Sequence, residues 1–156
     1  MTTKQALLAG PLELLEAVYR DAPARPAPAA CFRGRVLHRV DAAFARSAVG
    51  DAIVAPFERL TFGVDFVRSC WFFVHPSLRT GRFRVELGRS RWRDTETLRL
   101  RYDRSRLPIR GLLYDEVKPL DDELCLGLGG VQLGPGRGDV FWFLLEALPG
   151  GQIEGR

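Results

Sequence analysis

The clearest signal along this chain is alternation. Segments 82–87 (Arg-Phe-Arg-Val-Glu-Leu) and 96–102 (Glu-Thr-Leu-Arg-Leu-Arg-Tyr) place apolar and polar residues on successive positions. One face therefore carries Phe83, Val85 and Leu87, or Leu98, Leu100 and Tyr102, and the other carries Arg82, Arg84 and Glu86, or Thr97, Arg99 and Arg101. A period of two predicts strands with one buried and one wet face. Further strands are expected at 31–37, 70–75, 111–118, 123–128 and 139–147. Segment 70–75 is apolar on both faces and is closed by Pro76. Turns are expected at Pro119-Leu-Asp-Asp122 and at the glycine-rich Gly134-Pro-Gly-Arg-Gly-Asp139. Short strands joined by turns without intervening helices predict antiparallel hairpins, and closure of such a sheet removes its exposed edges.

The first third reads differently. Leu8, Leu12, Leu15 and Tyr19, with Leu7, Leu14 and Val18 beside them, recur at helical spacing and predict an amphipathic helix over about 5–20, Pro11 lying in its first regular turn. Pro23, Pro26 and Pro28 turn 21–30 into a stiff connector. Between Asp41 and Gly63 the pattern is irregular. Alanine-rich helical turns over 41–49 and a break at Pro56 predict a helical or loop cover over one end of the sheet. The expectation is a mainly β fold: an antiparallel barrel or strongly curled sheet with an N-terminal helix, in one domain over 1–149. Ile153-Glu-Gly-Arg156 matches a processing-protease recognition sequence, so 150–156 are read as an appended tail.

The stretch 102–145 has a recognisable cadence. Leu107-Pro-Ile109 is followed by Tyr114-Asp-Glu-Val-Lys118, then by Lys118-Pro-Leu-Asp-Asp-Glu-Leu-Cys-Leu-Gly127, and finally by the aromatic strand Phe141-Trp-Phe-Leu-Leu145. This resembles the C-terminal half of a small lipocalin-like bacterial family whose members open with a Gly-x-Trp-x-Gly motif. At the corresponding place this chain has Ala30-Cys-Phe-Arg-Gly34, which keeps the final glycine and has Phe32 in place of the tryptophan. The resemblance implies a calycin-like barrel, a fold that usually encloses a hydrophobic small molecule. It carries across no catalytic residue.

Composition narrows the chemistry. The 156 residues are 46% hydrophobic and 27% charged, as in ordinary globular domains. No apolar run is long enough to span a membrane. The first residues lack the pattern of a secretory leader, so a cytoplasmic location is expected. The net charge of +4 is almost wholly an arginine effect, since Lys4 and Lys118 are the only lysines. Arginines crowd Arg79 to Arg110, while acids dominate beyond residue 111, which suits cross-strand pairing. Cys31, Cys70 and Cys125 are odd in number and widely spaced, as buried thiols rather than a disulfide framework would be.

Candidate sites follow from the strands. Trp71, Phe73, Phe83, Tyr102, Tyr114 and Trp142 are the residues expected to line an apolar interior, which would suit a lipid- or polyketide-like guest. An alternative is a small barrel enzyme, a cyclase or isomerase, with Tyr114 and Glu116 sharing a strand face as the acid–base pair. A third reading is a nucleic-acid module using Arg82, Arg84, Arg99 and Arg101 with Trp92 as a stacking surface, and the acidic strands beyond residue 111 weigh against it. His38 and His75 form no ligand pair, so neither metal nor cofactor is expected. Gly127-Leu-Gly-Gly130 precedes no helix and is read as turn glycines rather than a phosphate cradle.

Overall fold

The computed structural model describes residues 4–102, 111–134 and 137–150. Part of the arginine-rich run, the Leu107-Pro-Ile109 motif, the middle of the second turn and the Ile153–Arg156 tail lie outside the described residues. Two helices, α1 (Lys4–Ala9) and α2 (Leu12–Asp21), open the chain, separated at Gly10 and Pro11. Strand β1 (Cys31–Arg39), helix α3 (Ala48–Arg59) and strands β2 (Phe62–Asp65), β3 (Cys70–Phe73) and β4 (Arg79–Thr80) follow. The remainder is β5 (Arg84–Arg89), β6 (Glu96–Arg101), β7 (Leu113–Pro119), β8 (Leu124–Val131) and β9 (Asp139–Ala147).

Among the described residues these nine strands form one antiparallel sheet in the order β4-β3-β2-β1-β9-β8-β7-β6-β5. The edge strands β4 and β5 are consecutive in sequence, joined by residues 81–83 alone. Four chain steps span at most about 14 Å, so the sheet has to curl until its two edges nearly meet. No ladder joins β4 to β5. Instead Phe83 donates its N–H to the Ser69 carbonyl (3.0 Å), and Trp71 of β3 donates to the Tyr102 hydroxyl just beyond β6. The result is a strongly curled, calycin-like half-barrel whose seam is bridged by one backbone and one side-chain hydrogen bond.

Register sorts residues between the two faces. Asp115 pairs with Leu100 and Gly129, Gly129 with Phe141, and Phe143 with Gly127 and Val36. These positions share the concave face with Phe62, Trp71 and Tyr102. Glu116, one residue on, pairs with Arg99 and Leu128 on the convex face. Glycines and rings alternate across the concave side: a Cβ on Gly127 would sit 2.2 Å from Phe143 Cζ, and one on Gly129 2.6 Å from Phe141 Cζ. The glycines of 127–130 therefore lie within β8 and are not turn residues. Their missing side chains are the space the β9 aromatics occupy.

The two layers of helix cover opposite faces. Helix α2 lies on the convex face, with Leu15 and Tyr19 fully buried and the Tyr19 ring edge-on to Trp142 at 5.3 Å. It does not plug the barrel end. That place belongs to α3, whose Phe57 stacks with Phe62, Trp71, Phe73 and Phe141 inside the curl. Ser47 caps α3 by accepting from the Gly50 N–H (3.2 Å). Pro56 does not break it, as the pattern suggested, because packing of Val54 and Phe57 outweighs the ~3 kcal/mol a helical proline costs. Strand β2, read from sequence as irregular, is four residues long and wholly buried. Among the described residues no helix is long and apolar enough to cross a membrane.

Candidate functional site

Within the curl, between α3 and the ends of β7, β8 and β9, lies a cavity of about 450 Å³. Ile53 and Phe57 of α3 form one wall, Trp71 and Phe73 another, and Tyr102, Leu113, Asp115 and Phe141 the floor. The alternation of β7 explains the floor. Leu113, Asp115 and Val117 point inward, so one carboxyl is carried on an otherwise apolar face.

A short relay ends on that carboxyl. The Trp71 indole N–H donates to the Tyr102 hydroxyl, and that hydroxyl donates to Asp115 Oδ2. Burial pushes the Asp115 carboxyl up to about 7, although the hydrogen bonds from Tyr102 and the Gly130 N–H favour its ionised form and the charge of Glu116 adds to the rise. Burial, reinforced by the Asp115 charge, also holds the Tyr102 phenol well above its ordinary range. Near neutral pH this carboxyl exchanges between acceptor and donor, facing a cavity whose remaining walls are mainly hydrocarbon.

The residues expected from the sequence divide between the two faces. Trp71, Phe73 and Tyr102 line the cavity. Phe83 sits behind it, edge-on to Tyr102 at 6.1 Å and to Phe66 at 6.2 Å. Tyr114 and Trp142 face the convex side, where strand parity puts them once Asp115 and Phe141 point inward. Tyr114 and Glu116 do share a face, but it is not the cavity's. Glu116 is fully buried there and accepts from Tyr19 Oη (3.0 Å), Tyr114 Oη (2.9 Å), Ser90 Oγ (2.5 Å) and the Arg91 N–H (2.6 Å). A carboxylate so fully supplied with donors is a structural anchor, with no lone pair free for a substrate.

The same face docks α2. Arg93 grips Glu16 with two bonds (2.6 and 2.7 Å), reaches Asp139 (2.9 Å) and lies 5.6 Å over the Trp142 ring. Buried Lys118 donates to the Ala22 carbonyl (2.9 Å) and Thr95 Oγ1 (2.6 Å), and burial lowers its ammonium below the usual lysine range. Trp92 is no stacking platform, being buried edge-on against Tyr114 with its indole N–H bonded to the Arg137 carbonyl (2.8 Å). Arg84 and Arg99 share Glu86, each at 3.4 Å. His38 bonds Gly10 O and His75 bonds Ser77 Oγ, far apart on the chain, and among the described residues no three His, Cys, Asp or Glu side chains cluster as for a metal. Cys31, Cys70 and Cys125 are buried free thiols, all raised by burial.

Asp115 itself went unread in the sequence. The signal was present: if Tyr114 and Glu116 share one face, parity places Asp115 between Leu113 and Val117 on the other, an acid flanked by two apolar neighbours.

No family model and no curated protein matches the chain in sequence. Among solved structures, a protein from Thermomonospora curvata is similar at a TM-score of 0.51 and 16% identity, covering 90% of this chain and 89% of that one. The likeness is one of fold.

Proposed function

We propose that the protein binds a small, largely apolar molecule, of the size of a short lipid or polyketide fragment, in the cavity inside the curled sheet. One observation carries this reading: a half-open apolar pocket of about 450 Å³, walled by α3 and the concave aromatics and holding, among the described residues, a single buried carboxyl. Small-molecule sites typically have volumes of about 300–1,000 Å³, apolar walls and few polar groups. The resemblance to lipocalin-like proteins points the same way. Titration with N-phenyl-1-naphthylamine tests it, through saturable fluorescence enhancement and a rise in Tm as mass action requires. Ala52→Trp, at an exposed position on the cavity rim, is expected to abolish both. No saturable binding across a panel of hydrophobic dyes and fatty acids would overturn the reading.

A second reading, a small cyclase or isomerase, is favoured by a different detail, the carboxyl poised near neutrality against the cavity. Proton transfer would then fall to Asp115 beside Tyr102, and not to the donor-saturated Glu116. An Asp115→Asn variant that still binds a substrate but no longer turns it over would establish it.

A further inference from the structure

The chain contains twenty-one arginines, and its buried acids are generally supplied with donors or cations. Asp65 is held by Arg68 (3.1 Å), Asp139 by Arg93 (2.9 Å), and Glu116 by four donors. Asp115 differs in having two neutral donors, no cation partner among the described residues, and a cavity beside it. The donors are the Tyr102 hydroxyl and the Gly130 N–H, and no lysine, arginine or histidine is among the described residues lining the cavity. Glu116 adds negative potential through the sheet. The cavity onto which the carboxyl opens is also lined by Phe57, Trp71, Phe73, Tyr102 and Phe141, and the faces of such rings are negative.

From this we infer that the guest of the cavity is an organic cation, an amine or quaternary ammonium on an apolar body, whose charge sits against Asp115 among the aromatic rings. The inference rests on the binding reading above and names the chemistry of its guest. A buried carboxylate without a counter-charge is costly, and a bound cation supplies the missing partner. An anionic guest meets repulsion from Asp115 and from the ring faces, while a neutral one gains only hydrocarbon contact.

Protonation follows from the same geometry. The titratable groups facing Asp115 are Tyr102, from the end of β6, and Glu116, across β7, while the described α3 wall contributes no ionisable side chain. Tyr102 keeps its proton, because burial holds it high. Cation affinity is therefore expected to be level above the Asp115 value of about 7 and to fall below it, by about tenfold per pH unit.

The test uses the full chain and a matched pair, benzyltrimethylammonium and its uncharged carbon isostere neopentylbenzene, titrated at about pH 8 and about pH 5.5. The cation is expected to bind on the order of tenfold more tightly at the higher pH. That preference should vanish at the lower pH and in Asp115→Asn. The wild-type pH arm decides the matter even if Asp115→Asn fails to fold, and Tyr102→Phe, which keeps the carboxylate, should retain the preference. Equal binding of the two probes, or a preference that survives Asp115→Asn, overturns the cation inference and leaves the binding reading standing. Failure of both probes while neutral dyes bind also overturns it. Failure of every apolar compound overturns both.

Discussion

Asp115 and Glu116 are neighbours on one strand, both buried, and they differ in almost every other respect. Glu116 faces the convex side, where α2 and the 90–93 turn supply it with four donors. Asp115 faces the concave side, where one phenol and one backbone amide meet it and a cavity takes the rest. Burial alone thus does not mark a functional carboxyl. What separates the two is whether the fold itself uses up the acceptor's lone pairs.

The largest expected effect breaks the convex side. Glu116→Leu strands two tyrosine hydroxyls, a serine hydroxyl and a backbone N–H, and is expected to cost about 3–5 kcal/mol in urea denaturation. The concave acid should behave in the opposite sense. Folded Asp115 holds its proton up to about 7, against 3.8 for the ordinary group, so between those values the folded state binds more protons than the unfolded one. Wild-type stability is therefore expected to fall as pH rises through that window, and Asp115→Asn to escape the fall. The variant should be more stable than wild type by about 4 kcal/mol at about pH 8 and nearly equal to it near pH 4, as read by paired denaturation curves.

Smaller changes sharpen the contrast. Gly129→Ala places a methyl 2.6 Å from Phe141 Cζ and 2.9 Å from Asp115 Oδ1. A loss of about 2 kcal/mol is expected, together with weakened dye binding, because the overpacked group lies at the cavity floor. Tyr19→Phe removes a single donor from Glu116 and should cost about 1 kcal/mol in the same denaturation assay while leaving dye binding unchanged.

How far the sequence could be read follows from the same two faces. Segment 139–147 holds an unbroken apolar run of strand length, Val140 to Leu145, set off by the glycine-rich turn before it, and β9 has the expected bounds. The helix over 5–20 was visible in its leucine spacing, and the structure divides it at Gly10 and Pro11. Strand β2 escaped because four residues containing a glycine carry too little pattern. Its strand character comes from pairing with β1 and β3. Pro56 misled for a related reason, since the aromatic contacts that keep α3 intact lie far along the chain. The site was half legible. Parity shows which residues share a face, but β7, β8 and β9 are buried on both faces. Nothing local says which face curls inward, and Tyr114, Glu116 and Trp142 lie on the side that packs against α2.

The most direct test is an NMR titration of a methyl-labelled chain with N-phenyl-1-naphthylamine. Saturable shifts are expected at Val49, Ile53 and Leu113 around the cavity, with Leu15, Leu128 and Leu144 on the convex side unmoved. Shifts centred on the convex methyls, or none that saturate, would contradict the assignment of the concave face as the binding face.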